Sequence, residues 1–375
     1  MPVSLLTILR EWGRIGCIGF GGPPTHIALL RDLCVRGRKW LSEQDFEDAI
    51  AACNLLPGPA STQLAIYCAW RLRGRIGGLV GGVAFVAPGL AAIIALAALF
   101  LSASPPRWVL GAGAGAGAAV AAVAVRAGWS LVPASWARAA ATSRLRWIVY
   151  AVAGGAAAAT LGQWLVLVLL ACGATELALQ RAVPRGAPLL LAAAPAVGGL
   201  LALAWVAFKV GALSYGGGFV IIPLMQSDAV GHYHWMTNAQ FLNAVALGQV
   251  TPGPVVQTVA VVGYAARGVG GAILAALVAF TPSFAFILVG GDRFDRVRND
   301  DRARAFLDGA GPAAVGAIVG ASIPLARALH ESWQFGVLAA AAVALLALRR
   351  GIVVTLLLAG AAGVAAALAD APLPH

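Results

Sequence analysis

The sequence is poor in charged residues, and this shortage restricts what the chain can be. Asp, Glu, Lys and Arg make up 11% of its 375 residues, against about 25% in soluble domains. The apolar residues AVILMFWYC make up 60%, more than one soluble core of this size can bury. The longest stretch that is not strongly apolar runs from about Arg31 to Asp48, too short for an independent extramembrane domain. The composition therefore predicts an integral membrane protein.

The sequence also has few cysteines and no grouping of residues that would build an active site. Its five cysteines are odd in number and lie in or beside apolar segments without Cys-x-x-Cys spacing, which argues against a disulfide framework. No His, Glu and Asp residues recur at a spacing that would supply a nucleophile with its base or a metal site, and no phosphate-binding loop is present. We therefore expect a protein that is not an enzyme and has no cofactor and no metal.

Lysine is almost absent, so arginine carries nearly all of the net charge of +11. The only lysines are Lys39 and Lys209. Nucleic-acid binding needs clustered charge on a soluble face, whereas these arginines separate apolar runs, as in the short cytoplasmic loops of membrane proteins. The first apolar stretch, Val3 to Leu9, is too short for a signal-peptide core. We expect the lipid bilayer, and no nucleic acid, as the surroundings of this chain, and no cleaved leader.

The apolar material is sufficient for about 10–12 helical segments at roughly 20 residues per crossing. Glycine pairs four residues apart recur, among them Gly111/Gly115 and Gly316/Gly320. Small residues at this spacing allow helices in lipid to approach closely. These patterns predict an all-α, multi-pass membrane protein in which glycine pairs mediate helix packing.

A shift of 195 residues superposes the sequence on itself. Gly16 falls on Gly211, Trp40 falls on Trp235, and the motif Pro57-Gly58-Pro59 falls on Pro252-Gly253-Pro254 without a gap. The chain is therefore an internal duplication, for which we predict an N-terminal transporter repeat over 1–186 and a C-terminal repeat over 187–375.

The Pro-Gly-Pro motif interrupts an apolar segment in each half. Proline removes a helix donor and glycine loosens the backbone, so each helix is predicted to break there, at membrane depth. Lipid cannot satisfy the freed backbone groups, which must face a cavity or other protein. Interrupted helices at corresponding places in two halves point to the substrate site of a transporter.

The arginine counts of equivalent loops predict how the halves insert. Three arginines follow the first Pro-Gly-Pro segment and one follows the next segment, whereas in the second half one arginine is followed by five. Because arginine-rich short loops stay in the cytoplasm, the two repeats should have inverted topology.

Two cations occupy one position of the repeat, since Arg14 superposes on Lys209. A charge inside an apolar segment is expensive, and the aromatic-Gly-Gly turns that follow each cation offer bare N–H groups of the kind that bind oxyanions. The polar candidates could equally satisfy the backbone of the broken helices, and His26 could relay protons or cap a helix. The candidate substrate-binding residues are Arg14, Phe20, Gly21, Gly22, Pro23, His26, Asn54, Pro57, Gly58, Pro59, Gln63, Lys209, Ser214, Tyr215, Gly216, Gly217, Gly218, Gln249, Thr251, Pro252, Gly253, Pro254 and Gln257.

These motifs together resemble the two-domain chromate ion transporters. The residues that carry the resemblance are Phe20-Gly-Gly-Pro-Pro-Thr-His26, Trp40-Leu-Ser-Glu43, Asn54-Leu-Leu-Pro-Gly-Pro-Ala-Ser61, Phe208-Lys-Val-Gly-Ala-Leu-Ser-Tyr-Gly-Gly-Gly218 and Gln249-Val-Thr-Pro-Gly-Pro254. The resemblance implies a secondary transporter of the inner (plasma) membrane that exports the chromate dianion, with the paired motifs near the permeation path. Asn54 stands where the family pattern has glutamine, and Pro24 is an additional proline.

Several alternatives remain open at the level of sequence. The oxyanion is chromate or a related dianion such as sulfate, and transport is driven by the membrane potential or by the proton motive force. An exporter of another small metabolite is the nearest rival, followed by a non-transporting membrane protein. The oligomeric state is open between a monomer and a homodimer.

The inverted topology predicts that single cysteines at Ser104 and Asn299 lie on opposite sides of the membrane. In a background without the native cysteines, a membrane-impermeant thiol reagent should label one position in intact cells and the other in inverted vesicles. The cysteine-free protein is the control and should not react. Labelling of both positions from the same side would contradict the inverted repeat.

Overall fold

The computed structural model describes residues 3–54, 56, 58–139, 144–180, 199–214, 219–290 and 300–374. In these ranges the regular structure is helical, and no β-strand occurs among them. The all-α class predicted from composition is confirmed. The predicted boundary between the repeats, at 186/187, lies outside the described residues.

The first half contributes eight described helices, named in chain order. They are α1 (Leu5–Ile18), α2 (Pro23–Arg31), α3 (Glu43–Cys53), α4 (Ala60–Phe100), α5 (Arg107–Ala118), α6 (Val120–Arg138), α7 (Arg144–Thr160) and α8 (Leu165–Leu179). Helix α2 continues into a π-helical turn over Asp32–Gly37. Ser4 and Ser42 cap α1 and α3 by accepting hydrogen bonds from the backbone amides of Thr7 and Asp45, as expected of serine at a helix start.

The second half contributes a further eight described helices. They are α9 (Leu200–Leu213), α10 (Ile221–Gln226), α11 (Asn238–Val250), α12 (Thr258–Gly290), α13 (Asp301–Gly320), α14 (Ser322–Arg327), α15 (Ser332–Ala342) and α16 (Ile352–Leu368). A π-helical turn over Ser227–His232 follows α10, and a 3₁₀ turn over Val255–Gln257 precedes α12.

The duplication seen in the sequence extends to the backbone. Helices α1 and α9 begin and end 195 residues apart, and so do the π turns after α2 and α10. Lys39 and His234, also 195 apart, both have a positive φ of 51°. The amide of Trp40 donates to Cys34 O at 2.7 Å, and the amide of Trp235 donates to Ala229 O at 2.8 Å. Corresponding segments therefore keep the same local conformation although most side chains differ.

Helices α4 and α12 are each helical hairpins rather than straight rods. Arg73 and Gly74 leave the helical region, with φ of −146° and 62°, and Arg267 and Gly268 repeat this with −152° and 60°. A Cβ added at Gly77 would lie 2.6 Å from the carbonyl oxygen of Ala69. A straight helix would separate those residues by about 12 Å, so the two arms fold back against each other.

Within the described ranges, four helical runs are long and apolar enough to cross a membrane. They are Ala60–Phe100, Arg107–Arg138, Val255–Gly290 and Asp301–Arg327. Because α4 turns back at Gly74, its spanning part is the second arm, which is roughly 39 Å long at 1.5 Å per residue. Shorter apolar helices accompany these runs over Leu165–Leu179, Leu200–Leu213, Ser332–Ala347 and Ile352–Leu368. The chain is a multi-pass membrane protein.

The helices group into two compact units, and each unit takes segments from both sequence halves. Unit 1 comprises 1–97, 207–218 and 247–300, and unit 2 comprises 98–206, 219–246 and 301–375.

Within unit 2, α13 packs on α6, α7 and α8, and α16 packs on α5. A Cβ at Gly316 would overlap the carbonyl oxygen of Ala151, and one at Gly115 would overlap that of Ala359. The predicted role of these glycine pairs in helix packing is confirmed.

Candidate functional site

Both Pro-Gly-Pro motifs belong to unit 1, and each stands where one helix ends and the next begins. Helix α3 ends at Cys53 and α4 begins at Ala60, while α11 ends at Val250 and α12 begins at Thr258. Pro57 and the second glycine turn, Tyr215, Gly216, Gly217 and Gly218, are candidate residues that lie outside the described residues. The described part of the candidate site consists of the remaining residues of the two motifs and their neighbours.

Gly58 of the first motif approaches polar groups from both halves of the chain. Its φ of +118° is a conformation that side chains with a Cβ rarely adopt. A Cβ at this position would lie 2.7 Å from Gln63 Nε2, 3.0 Å from Ser283 Oγ and 3.5 Å from Gly211 O. Only glycine allows the loop to come this close to an amide and a hydroxyl.

The second motif makes the reciprocal approach to the first half. The amide of Gly253 donates to Gly19 O at 3.0 Å, and Gln257 Nε2 donates to Val86 O at 2.8 Å. A Cβ at Gly89 would overlap the carbonyl oxygen of Pro252. Gly89 and Ser283 each follow the internal proline of their hairpin, Pro88 and Pro282, so each motif packs against the same place in the other half.

His26 on α2 is buried and joins three elements of the first half. Its Nε2 donates to Gly19 O at 2.9 Å, and its Nδ1 accepts from Ser61 Oγ at 3.2 Å. The ring also meets Phe85 edge-on, with centroids 5.0 Å apart. Since both ring nitrogens are engaged within the protein, this is the geometry of a capping histidine, and a proton relay would have to break one of the two bonds.

Three buried donors lie on helices that flank the two motifs, and a fourth, on Ser214, directly follows α9. Thr62 Oγ1, Ser214 Oγ, Gln249 Nε2 and Ser283 Oγ have no hydrogen-bond partner within the described part of the chain. A buried donor without an acceptor costs about 1–3 kcal/mol. We refer to these four groups as the buried donors. They provide what an oxyanion requires, because its oxygens only accept hydrogen bonds.

The two cations that the repeat superposes lie in different surroundings. Lys209 on α9 is 6% exposed. The side chain of Arg14 on α1 is 62% exposed, and its Nε lies 3.4 Å from Glu11 Oε2. Lys209 is thus the buried cation of unit 1, whereas Arg14 belongs to an accessible group of charges.

The other predicted residues divide between the buried interior and the surface. Gly22, Gly58, Pro59, Gln63, Gln249, Thr251, Gly253, Pro254 and Gln257 are buried, Pro23 and Pro252 are half-buried, and Phe20, Gly21 and Asn54 are exposed. Thr251 Oγ1 donates to Leu247 O at 2.8 Å and so closes the end of its own helix. Phe20, Gly21 and Asn54 therefore lie at the surface, whereas the buried donors do not.

Sequence reasoning missed Thr62 and Ser283. Thr62 stands beside the predicted Gln63, and isolated hydroxyl residues in apolar helices carry no pattern of their own. A signal for Ser283 existed in the repeat, because it follows Pro282 as Gly89 follows Pro88, next to the motif of the opposite half.

Comparison with known proteins identifies relatives over nearly the whole chain. The family model "Chromate transporter" matches residues 6–177 and again 201–364, which confirms the two homologous halves. The chain is 32% identical to a chromate transport protein of Cupriavidus metallidurans over 96% of this chain and 92% of the relative. It is 32% identical to a chromate transport protein of Pseudomonas aeruginosa, over 88% and 83%. No solved structure matches the chain.

The close approach at Gly58 predicts that Gly58→Ala abolishes transport while the protein still inserts. The new Cβ would strain a backbone at φ +118° and displace the amide of Gln63 and the hydroxyl of Ser283. We expect the strain, on the order of 1–3 kcal/mol, to leave folding largely intact. Transport into inverted vesicles and the amount of inserted protein are the two measurements.

Gly270→Ala is the matched control for this substitution. A Cβ at Gly270 would meet nothing within 4 Å, and this variant should transport as the wild type does. If Gly58→Ala shows unchanged apparent affinity and maximal rate, the first Pro-Gly-Pro loop is not part of the transport site.

Proposed function

Because the chain belongs to the chromate transporter family, we propose that it exports chromate from the cytoplasm as a secondary transporter. Membrane transport of chromate is the activity of the family, which is one of transporters rather than enzymes, and in bacteria such a multi-pass protein resides in the inner membrane. We propose in addition the direction of transport, its driving force and the residues that hold the anion.

The proposed binding site is based on the buried donors of unit 1. Chromate is a tetrahedral dianion whose oxygens only accept hydrogen bonds. Thr62, Gln249 and Ser283 offer donors on helices that flank the Pro-Gly-Pro loops, and Ser214 offers one at the end of α9. Lys209 supplies a buried positive charge in the same unit. The proposed site also includes Gln63, because a Cβ at Gly58 would meet Gln63 Nε2 as well as Ser283 Oγ.

The proposed anion site resembles the substrate sites of other transporters with interrupted helices. Helix interruptions near the bilayer midplane expose backbone groups that bind charged substrates. Sulfate has the same charge and tetrahedral shape as chromate, so we propose that it competes for the site.

The direction follows from the charge of the substrate. Moving one charge through about 100 mV involves roughly 2.3 kcal/mol, so a dianion that leaves an inside-negative cell gains about 4.6 kcal/mol. At about 1.4 kcal/mol per tenfold, this supports a gradient on the order of a thousandfold. Uptake against the same potential would need several accompanying cations.

The described part of unit 1 favours transport without obligatory proton coupling. It contains no buried carboxylate, since the buried carboxylates of the described chain, Glu176 and Asp228, belong to unit 2. His26 is its buried titratable imidazole, and both ring nitrogens are already bonded. We therefore propose that the membrane potential is the main driving force and that protons are at most auxiliary.

We predict that chromate uptake into inverted vesicles follows an imposed membrane potential. With valinomycin, high external potassium and the same strongly buffered pH on both sides, the lumen becomes positive and uptake of labelled chromate should accelerate. A pH gradient without a potassium gradient should drive little uptake. Flux that ignores the potential but follows the pH gradient would overturn this mechanism in favour of proton exchange.

Lys209→Gln should lower the apparent affinity for chromate. The substitution removes a charge-assisted contact worth roughly 1.5–3 kcal/mol, which corresponds to about tenfold or more. Lys39→Gln is the matched control, since Lys39 is the other lysine of the chain and is exposed. If Lys209→Gln inserts normally and its KM for chromate equals that of Lys39→Gln, Lys209 does not contact the anion.

A further inference from the structure

Unit 1 also contains a group of charged residues around an open cavity of about 640 Å³. The cavity is lined by α1, by the end of α2 and by the π turn that follows α2. Its charged residues are Arg10, Glu11, Arg14, Asp32 and Arg38, and we refer to it as the arginine cavity. Three cations face two carboxylates there, so the cavity is electropositive.

Glu11 holds two of these arginines at once. Arg38 donates from its terminal nitrogen to Glu11 Oε1 at 2.9 Å, and Arg14 Nε lies 3.4 Å from Glu11 Oε2. The Glu11 side chain is 13% exposed, whereas those of Arg14 and Arg38 are 62% and 56% exposed. The carboxylate therefore lies beneath two guanidinium groups that remain accessible.

Aromatic packing holds Arg38 in place and connects it to α4. Its guanidinium lies 5.9 Å from the ring centroid of Trp40, and Trp40 stacks on Trp12 with centroids 6.3 Å apart. Trp12 is buried, and its Nε1 donates to Ala65 O at 2.7 Å. Ala65 is one turn of α4 from Thr62, so the arginine cavity is joined through packed rings to an element that carries a buried donor.

The second half of the chain lacks the equivalents of Glu11 and Arg38. At the positions equivalent to Glu11 and Arg38, 195 residues later, stand Val206 and Tyr233. The backbone of the second half therefore folds without the carboxylate or its arginine. Ion pairs whose cations are exposed, as those of Arg14 and Arg38 are, contribute little to stability, so folding alone does not explain the presence of Glu11.

We propose that Glu11 is an internal competitor for the transported oxyanion, which binds Arg14 and Arg38 in its place. This inference rests on the proposed function. Guanidinium donors fit carboxylates and tetrahedral oxyanions alike, so the glutamate occupies the donors that an arriving anion would use. A dianion displaces a singly charged carboxylate more readily than a monoanion does. Glu11 thereby sets the affinity of the arginine cavity and selects dianions over monoanions such as chloride.

Glu11→Gln tests the proposal because it removes the charge and keeps the size of the side chain. Thermal stabilisation of the purified protein by chromate, sulfate and chloride measures binding without requiring transport. We expect tighter binding of chromate and sulfate, by on the order of tenfold as for one charge-assisted contact. Chloride, which should not stabilise the wild type, should now do so.

Asp32→Asn is the matched control. Asp32 lines the same cavity but pairs with Arg36 at 2.9 Å, so this variant removes an equal charge without releasing Arg14 or Arg38. If the two variants bind chromate equally, Glu11 acts only through the long-range effect of its negative charge, and the competition model fails. Unchanged binding in Glu11→Gln also overturns it.

Replacement of both arginines gives a second, independent test. The Arg14→Gln/Arg38→Gln protein should bind oxyanions more weakly than the wild type, and adding Glu11→Gln to it should change nothing further. A further gain from Glu11→Gln in that background would contradict the model, and so would wild-type affinity in the double variant.

Failure of the proposed function has a different signature. If vesicles do not move chromate but the purified protein binds sulfate more tightly after Glu11→Gln, export of chromate is wrong and the competition model stands. If neither the wild type nor Glu11→Gln binds any oxyanion, the competition model is wrong.

Discussion

The carbonyl oxygen of Gly19 accepts two hydrogen bonds, and the arrangement of unit 1 depends on them. One comes from His26 Nε2 and the other from the amide of Gly253. Lipid cannot satisfy the backbone groups that an interrupted helix exposes, so each break must find its partner in the protein. Here the break after α1 and the break at the second Pro-Gly-Pro motif satisfy each other. A motif of one half is thus held by a turn of the other half, and neither is complete alone.

The duplication preserved the backbone and allowed the side chains to diverge. Gly89 and Ser283 occupy equivalent positions, yet one permits close contact with Pro252 and the other presents a hydroxyl to Gly58. Arg14 and Lys209 are equivalent in sequence, but one is accessible and the other is buried. Two similar halves therefore produce an asymmetric distribution of donors and cations.

The helical class, the duplication and the helix ends near Pro-Gly-Pro could be predicted because they depend on composition and local chemistry. The hairpins at Gly74 and Gly268 could not, because an Arg-Gly pair without proline resembles a helix interior until the contact of Gly77 with Ala69 is known. The surroundings of Arg14 and Lys209 could not be predicted from the sequence either. They depend on neighbours distant in sequence, such as Arg38, which shares Glu11 with Arg14.

The two anion-binding regions that we propose for unit 1 differ in their carboxylates. In the competition model an anion that enters the arginine cavity displaces Glu11, whereas the described buried residues of unit 1 include Lys209 but no carboxylate. A pathway must bind its ion strongly enough to admit it and weakly enough to release it. On this model Glu11 weakens binding at the accessible cavity, while the proposed buried donors supply contacts from a separate set of residues. Selection for charge and retention of the anion can therefore be adjusted independently, since they depend on different residues.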